Sequence, residues 1–406
     1  MTADILLPVT GWELESQIRA AIDERVPIAI TAGTTKSKIG PSLTADLLLN
    51  MTNLRGVDVD RAAGLAFAQS GTPLRQVERE LLRYGFMLPF EPPDLGPLFG
   101  FDAWLGSIGG AFSSNVSGSR RLVAGAPSDN LVACSVITGE GVTRRLGARQ
   151  PLGSPLKDLL PLVAGSWGMF GVMTEVTFRI TPLPDETMTL FVVDLPPDLA
   201  VEASSEVALR TDRVTGAIHF DRGLVPRLWS DRLGRVDGTL TLIRLEASQK
   251  DLATHSQAVR ENLQLYGPVE TLTDAESTDF WSEVQALSVF QMSETPLWRL
   301  TVPPDKAARI LSDARSVLNC AAIVDWAGGL IWLEIADAIE AGASDIRRIL
   351  ATHGGAATLI RCDPEIRSSV DCFQPLPHRE FTMLSALKDE LDPHRLFNRG
   401  RIYGGL

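Results

Sequence analysis

The sequence predicts an α+β fold divided between two domains. A chain of 406 residues exceeds the usual size of one domain, so two cores are expected. From residue 172 to residue 180 apolar and polar side chains alternate, which is typical of a half-buried strand. The segment Thr181–Pro184 ends that strand and marks a domain boundary. Beyond it, strand and helix patterns alternate in two β-α-β groupings, which predict a ferredoxin-like antiparallel sheet.

The first domain is predicted to mix short strands with helices. Thr10 caps a helix over residues 11–24, and Thr72 caps a second helix that begins at Pro73 and closes at Gly85. Gly139–Gly141 is predicted to form a hairpin turn. Strands are expected at residues 28–31, 46–50, 65–69, 131–138, 142–146 and 172–180, with a further helix at 156–164.

The second domain repeats strand and helix patterns without a phosphate loop or a catalytic motif. Gly328–Gly329 is interpreted as a hairpin turn, and His353–Gly355 as a helix C-cap. Strands are expected near residues 188–194, 215–220, 239–245, 296–302, 321–325, 330–335 and 356–361. Helices are expected near residues 197–209, 248–265, 275–290, 304–318, 339–351 and 379–391.

Composition excludes several classes of function. The net charge of −12 argues against nucleic acid or an anionic membrane surface as a partner. Apolar runs stay below the length of a membrane span, and the N-terminus lacks the pattern of a signal peptide. The four cysteines form no C-x-x-C motif and the five histidines are isolated from one another. We therefore predict reduced thiols in a cytoplasmic protein, no metal site and no catalytic residue.

The segment from Leu88 to Gly118 organises the first domain. Its bend Pro89–Pro93 can neither continue a helix nor enter a central strand. Ser107 is predicted to cap a helix whose free N–H groups would face an anion, and the missing Cβ atoms of Gly109 and Gly110 permit close approach. An ordinary tight turn with small-residue packing is the alternative.

Loops on both sides of this segment complete a recognisable order. A strand leads into the hydroxyl-rich loop Ala32–Ser37, and the loop Gly165–Gly171 leads into another strand. With these loops, the order of motifs resembles the flavin domain of the vanillyl-alcohol-oxidase (PCMH-type) family, most strongly the FAD-binding subunits of bacterial glycolate oxidases. The other motifs that carry the resemblance are Gly71–Leu74, Met87–Leu98, Ser117–Arg121 and the tail Phe397–Tyr403.

The resemblance implies a PCMH-type FAD-binding domain of two α+β subdomains over residues 1–184. It also implies a ferredoxin-like cap domain over residues 185–378, and a helix and tail over 379–406 that return to the FAD domain. Loop 32–37 would wrap the FAD pyrophosphate, to which Lys36 adds a positive charge; a plain solvated loop is the alternative. The residues that the resemblance assigns to cofactor binding are Ala32, Gly33, Thr34, Thr35, Lys36, Ser37, Gly71, Pro89, Ser107, Ile108, Gly109, Gly110, Ser113, Ser117, Gly118, Asp129, Gly171, Val172 and Asn398.

Two departures from the family pattern bear on the cofactor. Covalent attachment commonly uses a histidine of the phosphate loop, and none lies between Gly11 and Gln150, so FAD is expected to be noncovalent. Leu152 and Gly153 fall where the family has a Lys-Asn pair beside the flavin ring. The resemblance therefore implies weakened FAD binding and a stronger loss of redox activity.

The resemblance implies a noncovalent FAD subunit of a glycolate-oxidase-like 2-hydroxy-acid dehydrogenase, not catalytic alone. Its partners would be a catalytic flavoprotein subunit and an iron–sulfur subunit, which would hold it peripherally at the inner membrane. The apolar loop Leu95–Trp104 would cover the flavin, face a partner or pack in the core. The alternatives are a structural subunit with a degenerate flavin site, and a freestanding FAD oxidoreductase of unknown substrate.

Overall fold

The computed structural model describes residues 4–43, 45–147 and 159–406. Contacts divide the chain into two compact units. The first contains Met1–Ser117, Gly125–Leu183 and Pro375–Leu406, and the second contains Gly118–Ala124 and Pro184–Gln374. This division differs from the expected one chiefly in the short segment Gly118–Ala124, which the sequence pattern had placed in the first domain.

The helices and strands have the following bounds. The helices are α1 (Gly11–Glu24), α2 (Leu74–Arg83), α3 (Ile108–Ser114), α4 (Arg121–Ala124), α5 (Pro127–Asn130), α6 (Leu160–Val163), α7 (Pro197–Arg210), α8 (Gln249–Leu263), α9 (Asp274–Gln285), α10 (Ala307–Val317), α11 (Ala343–His353), α12 (Pro364–Ser369) and α13 (His378–Leu391). The strands are β1 (Asp4–Leu6), β2 (Ile28–Thr31), β3 (Leu47–Asn50), β4 (Val57–Asp60), β5 (Leu65–Gln69), β6 (Phe86–Met87), β7 (Leu131–Ile137), β8 (Thr143–Gly147), β9 (Val172–Arg179), β10 (Thr181–Pro182), β11 (Glu186–Val193), β12 (Val214–Phe220), β13 (Leu240–Ala247), β14 (Val269–Leu272), β15 (Leu297–Thr301), β16 (Asn319–Asp325), β17 (Leu330–Ala336) and β18 (Ala356–Arg361).

The first unit is built from two α+β layers. A parallel sheet of order β1-β3-β2 packs against α1 through a core that includes Leu14, Ile18 and Leu49. An antiparallel sheet of order β4-β5-β9-β7-β8 packs against α2 and α3 through Val77, Phe112 and other buried residues. The predicted α+β class, with two α+β subdomains in the first domain, is confirmed. The end of β2 and the start of α3 both line one cavity.

The second unit is an antiparallel sheet of order β14-β11-β13-β12-β16-β17-β15-β18. Helices α7 and α8 cover one face through a core that includes Ala203, Val207 and Leu245. The predicted antiparallel sheet is therefore confirmed. Strands β1, β4 and β14 were not predicted, because each is only three or four residues long and shows little alternation.

The predicted cap of α2 is wrong by one residue. Pro73 precedes the first helical residue, and Thr72 is fully buried behind it. The Thr72 hydroxyl accepts a hydrogen bond from Gly56 N at 3.0 Å and contacts Gln69 O at 2.6 Å. Thr72 therefore joins two neighbouring loops instead of capping the helix.

Candidate functional site

A cavity of about 400 Å³ opens in the first unit between the loop after β2, the start of α3 and the C-terminal tail. This volume lies in the range of small-molecule and cofactor sites. It brings together most of the cofactor-binding residues that the resemblance implies. Those that line it are Ala32, Gly33, Thr34, Thr35, Lys36, Ser37, Ser107, Gly109, Gly110, Ser113, Gly171 and Asn398.

The loop after β2 presents unpaired backbone donors to the cavity. Within the described residues, the N–H groups of Gly33, Thr34, Thr35 and Lys36 donate no hydrogen bond. Thr34 has a φ of +56°, in the left-handed region. The turn that follows is closed by a hydrogen bond of 2.9 Å from Ser37 N to Thr34 O. Successive N–H groups around a left-handed residue form a concave anion-binding nest.

Two cations stand beside this nest. The half-buried Lys36 side chain forms no ion pair within the described residues, and burial lowers its pKa to about 8, against the opposing effect of Asp94. Arg401, which sequence reasoning missed, donates hydrogen bonds from its guanidinium to Lys36 O and Ser37 O. The region around the nest therefore favours a negatively charged ligand.

The start of α3 differs from the prediction. Ser107 caps the helix as expected, its hydroxyl accepting from Gly110 N at 3.1 Å. However, Ile108 N donates to Thr72 O and Gly109 N donates to Ser70 O, each at 2.9 Å. Because these donors are already paired, the expected free N–H groups at this helix are absent, and the loop after β2 supplies them instead.

Two of the cavity's glycines serve close packing of the protein on itself. A Cβ on Gly33 would lie 1.7 Å from Leu105 O, and one on Gly109 would lie 2.5 Å from the Cβ of Ser70. A Cβ on Gly110 would meet only the Ser107 hydroxyl at 3.2 Å and Lys36 Nζ at 3.9 Å. Of these three, Gly110 is therefore the one that keeps space open within the cavity.

The tail is tied to the cavity by Asn398. Its Oδ1 accepts from Ile30 N at 2.8 Å, and its Nδ2 donates to Trp167 O at 2.6 Å. The side chain thereby joins strand β2 to the loop before β9. The sequence pattern had identified this asparagine but not its partners, since they lie far away along the chain.

A buried ion pair, also missed from the sequence, fixes the tail. Lys388 and Asp392 are fully buried and 2.7 Å apart. Lys388 also donates to Phe397 O at 2.9 Å, while Asp392 accepts from the N–H groups of Leu396 and Phe397 at 3.0 and 2.9 Å. Because both charges are paired and hydrogen-bonded, the chain leading to Asn398 has little freedom.

The remaining residues of the predicted set lie outside the described cavity. Ile108 and Val172 are core residues, and Asp129 accepts from Ala126 N at 2.7 Å. Gly118 belongs to the second unit, where its carbonyl accepts from the indole of Trp326. The other three lie in buried backbone: Gly71, Pro89 and Ser117.

The loop Leu95–Trp104 packs largely on the first unit itself. Leu95 and Leu98 are buried, the guanidinium of Arg75 lies 3.6 Å from the Trp104 ring centre, and Lys38 donates to Phe99 O. Of the three alternatives for this loop, these contacts favour packing in the core. The altered segment with Leu152 and Gly153 lies outside the described residues, so its placement beside the flavin stays a prediction.

The residues of the cavity fit FAD. Unpaired N–H groups and cations suit a diphosphate, and apolar residues such as Ile30 and Met173 suit rings. The hydroxyl of Ser70 is buried at the cavity without any hydrogen-bond partner, which is typical of a group that a ligand completes. Within the described residues, no group of three His, Cys, Asp or Glu side chains could hold a metal ion.

Comparisons with known proteins agree with this fit. Residues 3–147 match a family model described as an FAD binding domain. The chain is 29% identical to glycolate oxidase subunit GlcE of Escherichia coli, over 97% of each chain. It is 22% identical to a D-lactate dehydrogenase of Anaerostipes hadrus, over 77% of this chain and 68% of the relative.

Solved structures share the fold. A 4-ethylphenol oxidase from Gulosibacter chungangensis superposes with a TM-score of 0.71 at 13% identity, over 99% of this chain and 89% of its own. A p-cresol methylhydroxylase superposes with a TM-score of 0.70 at 13% identity, over 98% and 88%. Within the described residues, no helix is both long and apolar enough to cross a membrane.

Proposed function

We propose that the chain, whose residues 3–147 match the model of an FAD binding domain, is the noncovalent FAD subunit of a glycolate-oxidase-like complex. The observation that carries the proposal is the nest of unpaired N–H groups in the same cavity as Lys36 and Asn398. The near full-length similarity to the glycolate oxidase subunit supports the assembly and the 2-hydroxy-acid substrate.

The chain's own residues bind and orient the cofactor in this proposal. The N–H groups of residues 33–36 would donate to the diphosphate, and Lys36 would neutralise part of its charge. Ser70 would donate or accept through its unpartnered hydroxyl. FAD itself supplies the capacity to accept two electrons when a 2-hydroxy acid is oxidised.

The partners in this proposal are a catalytic flavoprotein subunit and an iron–sulfur subunit, through which the chain would sit peripherally at the inner membrane. The described residues provide no metal-binding cluster, so a base or a metal for the hydroxyl proton would come from the catalytic partner. This division of labour leaves cofactor binding as the principal task of the chain.

The second candidate is a structural subunit whose flavin site has degenerated. It is favoured by Leu152 and Gly153, which stand where the family carries the polar pair beside the ring. The absorption spectrum and the flavin-to-protein ratio of the purified chain distinguish the two. Bound flavin, released by heat without a covalent remnant, is expected; a colourless chain that still assembles with its partners would support the structural subunit.

A further inference from the structure

Arg401 of the C-terminal tail is buried, and its guanidinium contacts the backbone of the loop after β2. Only 6% of the residue is exposed. Its Nη2 donates to Lys36 O at 2.5 Å, and its Nη1 donates to Ser37 O at 3.4 Å. Because a guanidinium offers its donors in a fixed planar fork, two successive carbonyl groups that bind it take a defined orientation. The last part of the loop is therefore anchored by a residue of the tail.

The loop itself provides little to hold its conformation. Within the described residues, its N–H groups from Gly33 to Lys36 donate no hydrogen bond. Backbone bonds in and just after the loop run from Ser37 N to Thr34 O at 2.9 Å and from Ile39 N to Lys36 O at 3.1 Å. Thr34 has a left-handed φ of +56°, which a β-branched residue seldom adopts unless surrounding contacts hold it. Contacts from outside the loop therefore fix the arrangement of its donors.

Contacts from outside hold the loop at both of its ends. At the start, Gly33 packs so closely that a Cβ on it would lie 1.7 Å from Leu105 O. At the end, the contact is Arg401, which is itself held in place. Its central carbon lies 5.3 Å from the ring centre of Trp167, and Trp167 O accepts from the amide of Asn398 in the same tail. The guanidinium therefore reaches the loop from a fixed position.

Arg401 also acts on the charge of the Lys36 side chain. Lys36 Nζ lies beside the start of α3, 3.9 Å from the position that a Cβ on Gly110 would take. Burial lowers the pKa of Lys36 to about 8; the carboxylate of Asp94 opposes this shift, and the positive charge of Arg401 adds to it. Arg401 thus has two effects that experiments can separate. Its hydrogen bonds orient the loop, and its charge changes the pKa of Lys36.

We propose that Arg401 is a positioning residue of the cofactor site, which holds the N–H groups of residues 33–36 in the arrangement that receives the diphosphate by binding two carbonyl groups of the loop. This inference rests on the proposed function and deepens it, because it identifies what keeps the diphosphate-binding loop in place. Arg401 acts through the loop and not by charge alone. Arg401→Lys keeps the charge but lacks the planar fork, so it distinguishes the two effects.

The first test is FAD titration of the full chain at pH 7. Arg401→Met should bind FAD roughly ten- to hundred-fold more weakly than the wild type, and Arg401→Lys at least several-fold more weakly, because both lose the fork that holds the loop. Arg399→Met is the matched control: Arg399 lies in the same tail, is exposed and donates to Arg395 O at 3.1 Å, so its loss should leave the affinity unchanged. In the FAD-free chain, the titration midpoint of Lys36, followed by NMR of isotopically methylated lysines, should move upward in Arg401→Met and stay near pH 8 in Arg401→Lys.

Amide hydrogen exchange in the FAD-free chain separates positioning from a general loss of stability. In both Arg401 variants the N–H groups of Ser37 and Ile39 should exchange faster, while those of α1 keep their wild-type rates. Equal acceleration in α1, unchanged exchange in the loop, or wild-type FAD affinity in Arg401→Lys would overturn the inference. If Arg401→Met does not fold, Arg401→Lys decides by itself. If the wild type binds no FAD, the proposed function fails, and the exchange rates still decide whether Arg401 holds the loop.

Discussion

At the scale of single residues, the structure distinguishes between the two anion sites that the sequence suggested. These were the loop 32–37 with Lys36, and the cap of α3 with Gly109 and Gly110. The donors of α3 are paired, and the unpaired ones belong to residues 33–36. Lys36 beside them is the residue whose protonation should govern affinity for FAD.

The affinity for FAD should fall as pH rises through the pKa of Lys36. Burial lowers this pKa to about 8, so the ammonium form is roughly nine-tenths of the population at pH 7 and roughly a tenth at pH 9. If the ammonium form binds the diphosphate, the apparent dissociation constant rises roughly ten-fold between these values. Flavin titrations at pH 7, 8 and 9 measure this dissociation constant. Lys36→Arg keeps its charge over this range and should abolish the pH dependence. If the affinity of that variant fell equally with pH, Lys36 would not be the titrating group.

Substitutions at neighbouring glycines should have different effects. Gly109→Ala places a Cβ 2.5 Å from Ser70, whose backbone cannot retreat, and should lower the free energy of unfolding by about 1–3 kcal/mol. Gly110→Val should fold, because only the Ser107 hydroxyl and Lys36 lie nearby, yet it should lose bound flavin. Urea unfolding and flavin-to-protein ratios measure the two effects. Full flavin occupancy in a folded Gly110→Val protein would show that this space is not used by the cofactor.

At the scale of elements, α13 and the tail after it act as one clamp on the first unit. Lys388 of α13 also donates a hydrogen bond to Met169 O, which lies far away along the chain in the loop before β9. The same loop receives the Asn398 amide at Trp167 O. The clamp therefore couples the position of the tail to the wall of the cavity.

Breaking the clamp should reduce both stability and flavin retention. Lys388→Met leaves Asp392 buried without its cation and should lower the free energy of unfolding by about 3–5 kcal/mol. The double variant Lys388→Met with Asp392→Asn should recover part of that loss, since the buried charge is gone. Arg348→Met breaks an exposed ion pair with Asp345 and should cost at most about 1 kcal/mol. If Lys388→Met and Arg348→Met lowered the free energy of unfolding equally, the buried ion pair would stabilise the protein no more than the exposed one.

At the scale of the whole molecule, the two units differ in what they contain. The first contains the residues that match the FAD-binding family model, and the second contains an antiparallel sheet of eight strands. Neither contains, within the described residues, a cluster of metal ligands. In the proposed function, the group that takes the hydroxyl proton of a 2-hydroxy acid belongs to the catalytic partner.

The purified chain should not oxidise glycolate or D-lactate by itself. Dye reduction by the chain alone should stay near background and rise when the catalytic flavoprotein and iron–sulfur subunits are added. A variant with weakened FAD binding, Gly110→Val, serves as the control for the contribution of this chain's flavin. Turnover by the isolated chain comparable to that of the complex would contradict the proposed function.

The sequence by itself determined the two-domain α+β fold and the loops that meet at the cavity. Turn residues, caps and apolar periodicity are local, so helix α1 and strands such as β9 could be predicted within a residue or two. The resemblance added FAD, because its motifs occur in a fixed order along the chain. The strands β1, β4 and β14 are too short for the alternation of apolar and polar residues to be recognised, so they were not predicted.

Only the tertiary structure decided which donors are free and which charges are paired. Lys388 and Met169 are 219 positions apart, and Arg401 and Lys36 are 365 apart, so no local pattern could join them. Likewise, the donors of α3 looked free until Ser70 and Thr72 were seen to accept from them. Hydrogen bonding and burial depend on neighbours in space, which follow from the packing of distant segments.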